Sequence, residues 1–128
     1  MSEPTWLPLE LVIAIHDEQL RLFGGAEGLR DEGALQSALG RPRNQWAYRD
    51  TRLATLAAAY AFGIVRNHPF VDGNKRTGLL SLVAFLGLNG VDFVAEEAAA
   101  AAIILELAAG TVGEEGLTRW IEDNWPKE

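Results

Sequence analysis

The chain has 128 residues, 48% of them hydrophobic, with no cysteine and a formal charge of −7. That length suits a single domain, residues 1–128, able to bury about two-thirds of its extended surface. The acidic balance argues against direct nucleic-acid binding, which needs a basic face for phosphates, and leaves a nucleotide or a protein as the expected partner. Without cysteine neither a disulfide framework nor a thiolate metal site is available. The opening "MSEPTWLPLE" has acidic residues and prolines where a secretory signal has a basic start and an apolar core. No apolar run is long enough to span a bilayer. The expectation is a cytoplasmic protein without membrane contact.

In chain order, Leu9, Val12, Ile13, His16, Leu20 and Phe23 recur at helical steps and predict a helix ending at Gly24-Gly25. A lone histidine on such a stripe is more often a satisfied core residue than a ligand. After "GGAEGLR" a short helical segment is expected from Asp31 to Leu39, closed by "GRPR"; Arg41 and Arg43 then belong to a turn or a mobile flap, and the turn is favoured. Leu53, Leu56, Ala57, Tyr60 and Ile64 form the next stripe, which His68 extends, so His68 is expected to face inward. Pro69 disfavours helical geometry at His68 and should end the helix there. From about Gly73 to Leu88 leucines, Val83 and Phe85 run round most of the circumference, which predicts a helix buried on all sides. The segment "AEEAAAAAIILELAAG" predicts a further helix, its alanines reflecting propensity and close packing. "EEGLTRWIEDNW" predicts a last one, with Leu117, Trp120 and Ile121 on one face. The fold class is therefore all-α, without repeats, linkers or convincing strands.

Polar chemistry concentrates in "HPFVDGNKRTG", residues 68–78. A helix N-terminus carries free N–H groups and partial positive charge, so cations in its first turn are unfavourable by about 0.3–1 kcal/mol each unless an anion is bound. Lys75 and Arg76 stand in that turn. With a phosphate present the same arrangement becomes favourable, because N–H groups, an ammonium and a guanidinium converge on it. Gly73 permits close backbone approach. His68 can serve as a general base, and Asp72 can hold a magnesium ion that bridges phosphate oxygens. Blander readings stand beside these. Asp72 is a good N-cap, Asp-Gly is a common turn, Asn74 can satisfy backbone groups locally, and Lys75 and Arg76 can be solvated. On a helix buried all round that solvation is not expected to be available.

"HPFVDGNKRTG" closely resembles the signature of the Fic/Doc superfamily. "AIHDEQLRLFGG", "GLRDEGALQSALGRP" and "FLGLNGVDF" resemble the flanking segments of its Doc (death-on-curing) branch. The resemblance covers nearly the whole chain and implies a small helical bundle around a buried central helix, with the motif on a loop and that helix. It implies that His68 is the base for a target hydroxyl, Phe70 the apolar anchor of the loop and Asp72 the magnesium ligand, while Gly73, Asn74 and Arg76 form the phosphate-binding turn. Most Fic nucleotidyl transferases have glycine at the position of Lys75 and arginine at that of Leu79. Doc-type proteins share both departures, whereas at Gly73 they often have alanine. The Doc branch implies transfer of the terminal phosphate of ATP, with Lys75 and Arg76 taking part, onto a threonine of the translation factor elongation factor Tu. It also implies neutralisation by an antitoxin. Transfer of AMP by the same residues is the alternative, and an inactive helical binding module is a third reading. "TVGEEG" superficially fits the family's autoinhibitory pattern, but Glu114 and Glu115 read better as first-turn acids of the last helix. With four tryptophans, an exposed apolar anchor site for the antitoxin is expected.

Overall fold

The computed structural model describes residues 2–127. Six helices follow one another: α1 Leu9–Phe23, α2 Glu32–Tyr48, α3 Leu53–Asn67, α4 Asn74–Leu88, α5 Glu97–Ala109 and α6 Glu114–Asp123. Among the described residues the only strand-like pairing is an isolated bridge between Leu29 and Phe70, so the all-α class holds.

The innermost element is α3. Its run of small residues lets α2, α4, α5 and α6 pack against it, and nearly all of its length from Ala54 to Val65 is buried. Tyr60, Leu56 and Ile64 meet Phe85, Leu82 and Leu86 of α4 and Leu117 and Ile121 of α6 in the core. Close approach requires glycine at one crossing: a Cβ on Gly63 would lie 2.9 Å from the Cα of Ala38 on α2. Ahead of α1, Trp6 stacks on Phe85 and meets Trp46 edge-on, and the N–H of Leu7 donates to the Tyr60 hydroxyl at 3.0 Å.

Two expectations are corrected here. The second helix does not stop at Leu39 but runs through Pro42 to Tyr48. Proline inside a helix costs about 3 kcal/mol, and tertiary contacts offset this. Pro42 is itself buried, Arg41 ion-pairs with Glu114 of α6 at 2.6 Å, and the Arg43 guanidinium lies over the Trp6 ring. Arg41 and Arg43 are therefore helical, neither turn nor flap. Second, α4 is not buried all round: Leu79, Leu80 and Val83 are half-buried and face a cleft, and Lys75 and Arg76 are exposed. All four tryptophans are half-buried against the core, and Trp120 also lines the cleft beside α4. The last helix does begin with Glu114 and Glu115 in its first turn.

Two predictions follow from this packing. Gly63→Ala should destabilise the fold by about 1–3 kcal/mol through overpacking, opposite in sign to the gain of up to about 1 kcal/mol at an open helical site; urea unfolding reads the difference. Asp50, before α3, accepts hydrogen bonds from the Arg52 side chain, the Arg52 N–H and the Thr55 hydroxyl, which lower its carboxyl from 3.8 to about 2. A depressed folded value stabilises above the unfolded one. The stability gap between the natural protein and Asp50→Asn should therefore be fully present above about pH 4 and vanish as the pH falls to about 2. Thermal unfolding across that range checks it.

Candidate functional site

The residues of the motif sit on a loop between α3 and α4 whose backbone is held from several sides. The segment 24–31 runs alongside it: the N–H groups of Arg30 and Asp31 donate to the Pro69 carbonyl at 2.7 and 3.0 Å, and the Val71 N–H donates to Gly28 at 3.0 Å. Arg30 also donates from its side chain to the carbonyls of His68 and Asn67, at 2.7 and 3.0 Å, which satisfies the open end of α3. Phe70 is buried and stacks on His16 with ring centroids 3.8 Å apart.

Asn74 fixes the other side. Its side-chain oxygen accepts the Phe70 N–H at 3.0 Å and its amide donates to the Phe70 carbonyl at 2.9 Å, all buried. Its side chain is thus committed to the loop, and Asn74 can offer an anion its backbone N–H and at most the second N–H of its amide. This narrows the role that the motif implied for it.

His68 caps α3 in the left-handed conformation, with φ 53 and ψ 54, the only described residue other than glycine with positive φ. Such a conformation costs about 1–2 kcal/mol and persists because Arg30 and the Ile64 carbonyl hold its backbone. The helix ends before Pro69 as expected. The turn, however, rotates His68 off the α3 stripe, so it does not face inward but stands exposed at the rim of a cleft. Backbone strain of this kind clusters at functional sites.

Asp72 is held by its neighbours' amides: Gly73 donates to Oδ1 at 2.9 Å and Ala26 to Oδ2 at 3.2 Å. These two N–H groups, Gly73 first, hold its carboxyl below the usual carboxylate range. Gly73 is the N-cap of α4, at φ 80 and without a side-chain cap, so the first-turn N–H groups stay open. A Cβ there would lie 3.5 Å from His16 and Leu20, an ordinary contact, so space admits alanine while φ favours glycine. Among the described residues neither Lys75 nor Arg76 pairs with a carboxylate. The Arg76 guanidinium lies over Phe23.

These groups share one cleft of about 660 Å³. His68, Asp72, Gly73, Asn74, Lys75 and Arg76 line one end; Leu79, Leu80, Val83, Ile104 and Leu105 line the rest. A second cleft, between α2 and α6, contains no histidine, and its Arg41 and Arg52 are bonded to carboxylates. Glu114 lies there, away from the motif. The cleft at the motif fits a nucleotide phosphate: free N–H groups and two unpaired cations face it. It also fits magnesium in the form that uses one carboxylate, with phosphates and water completing the shell. Among the described residues no three His, Asp or Glu side chains gather into a metal cage.

Residues 6–86, more than half of the chain, match the model of the Fic/DOC family. The chain belongs to that family. It is 40% identical over 83 residues to the protein named "Protein kinase doc" of Escherichia phage P1, covering 64% of this chain and 66% of that relative. It is 42% identical over 76 residues to "Toxin Doc" of Mycolicibacterium smegmatis, covering 58% of each. The match thus spans 66% and 58% of these relatives' own lengths, less than two-thirds of each.

Sequence reasoning did not find Arg30 or Gln19, which is buried and lines the cleft, whereas the local backbone role of Asn74 is one of the readings it offered. Arg30 lay within a flanking segment, but no spacing ties it to residues 67 and 68. Because Asn74 alone satisfies the buried Phe70 N–H and carbonyl, Asn74→Ala should cost about 1–3 kcal/mol, read from the midpoint of urea unfolding.

Proposed function

We propose that this protein is a Doc-type toxin that transfers the terminal phosphate of ATP to a hydroxyl of a translation factor similar to elongation factor Tu. The reading rests chiefly on one observation: a strained, exposed histidine shares a cleft with an uncapped helix N-terminus bearing two unpaired cations and an ionised aspartate. The names of the two relatives support the toxin and the kinase parts.

In this account the N–H groups at the start of α4, with Lys75 and Arg76, bind and orient the phosphates. Bound magnesium would be held by Asp72 and would offset phosphate charge. The neutral imidazole of His68 takes the proton from the target hydroxyl as its oxygen bonds to the terminal phosphorus. The bond from that phosphorus to the bridging oxygen breaks, and ADP leaves. Lys75 fills the space that glycine leaves in AMP-transferring relatives and adds a point charge, which favours presenting the terminal phosphate. The apolar remainder of the cleft, from Leu79 to Leu105, suits an amphipathic segment of an antitoxin.

The decisive measurement is intact mass of the modified target after incubation with ATP. Addition of one phosphate is expected; addition of AMP by the natural protein refutes the kinase reading and leaves the site standing. His68→Ala should remain folded and slow transfer by about two to four orders of magnitude, so unchanged activity would remove the base. Lys75→Gly should lose phosphate transfer, and a gain of AMP transfer would make Lys75 the switch between the two reactions.

A further inference from the structure

His16 lies outside the motif, on α1, yet it is buried and touches the site at one atom: Nε2 is 2.8 Å from the carbonyl oxygen of Asp72. A carbonyl only accepts, so Nε2 carries the proton and donates. The imidazole is also stacked nearly parallel to Phe70, 9° apart, and packed beneath Gly73. It is thus held in register with the loop from two directions.

The bond has a consequence for the helix above it. The ladder of α4 opens with the N–H of Thr77 on the carbonyl of Gly73. One further rung of the ladder would place the N–H of Arg76 on the Asp72 carbonyl. The left-handed Gly73, at φ 80, stops the helix at Asn74 and turns the Asp72 carbonyl out of the ladder, where His16 holds it. The same peptide plane carries the Gly73 N–H that holds Asp72 Oδ1. One imidazole donor therefore orients both the carboxylate and the first turn of the anion site.

We propose that His16 is a positioning residue of the site, acting through the Asp72–Gly73 peptide to aim the Asp72 carboxylate and to fix the peptide that leads into the N-terminus of α4. The chemical consequence rests on the phosphate-transfer reading above; the structural one does not.

Two substitutions separate the donor from the packing. His16→Phe keeps a ring against Phe70 and removes the N–H, whereas His16→Gln keeps an N–H donor at similar reach. In protein free of nucleotide and metal, amide hydrogen exchange at Val71 and Gly73, whose N–H groups are bonded to the Gly28 carbonyl and the Asp72 carboxylate, should be about tenfold faster in His16→Phe, with α3 and α6 unchanged, and near the natural rate in His16→Gln. In binding titrations with ATP, the magnesium concentration at half-saturation should rise about tenfold in His16→Phe and return toward the natural value in His16→Gln. Transfer should slow by about ten- to a hundredfold in His16→Phe, as expected for displaced groups. If His16→Phe matches the natural protein in exchange and in magnesium dependence, the proposal is wrong. It is equally wrong if His16→Gln is as impaired as His16→Phe. Should the natural protein transfer no group at all, the Doc-type reading fails, and the exchange measurement still decides the role of His16.

Discussion

Burial of Phe70 under its own loop is the constraint on which the site depends. The ring stacks on His16 and its backbone N–H and carbonyl close onto Asn74. An apolar side chain and a buried polar pair thereby pull the connection between α3 and α4 down onto α1. Everything with chemistry follows from that descent. His68, two residues before Phe70, is forced through a left-handed turn to the cleft rim, and Asp72, two residues after it, meets the amides of Ala26 and Gly73. The segment 24–31 and Arg30 then satisfy the polar groups that the descent would leave bare.

The site is stabilised locally against two unfavourable choices. A left-handed histidine and two cations at a helix N-terminus each oppose what the isolated backbone prefers. Arg30 and the Ile64 carbonyl hold the histidine in its strained turn, and the cations sit exposed at the mouth of the cleft, where solvent limits their cost. In the proposed reaction, a small basic site on an acidic chain would receive a phosphate without the broad basic face that nucleic acid requires.

Legibility in the sequence divided along a physical line. Helix existence was readable, because the three- and four-residue recurrence of apolar groups reports a face directly. So was the end of α3 before Pro69, a local steric effect. The motif named the groups that would share a site, and they do line one cleft. Its reading of Asn74 was incomplete, since a short amide can bond forward to an anion or back to Phe70, and only the course of the loop selects between them. The inward histidine failed for a similar reason: periodicity assumes that helical geometry persists, and one left-handed residue cancels it.

Composition, spacing and the few residues with steric rules determined by themselves that the chain is helical and which polar side chains gather at one loop and helix start, because those are properties of neighbours along the chain. Tertiary structure alone decided that α2 continues through Pro42, that α4 keeps an open face, and that His16 and Arg30 hold the motif loop. Each of these turns on contacts between residues far apart in sequence, such as Arg41 with Glu114 or Nε2 of His16 with the Asp72 carbonyl. Energies of that kind override local preference and leave no periodic trace in the chain.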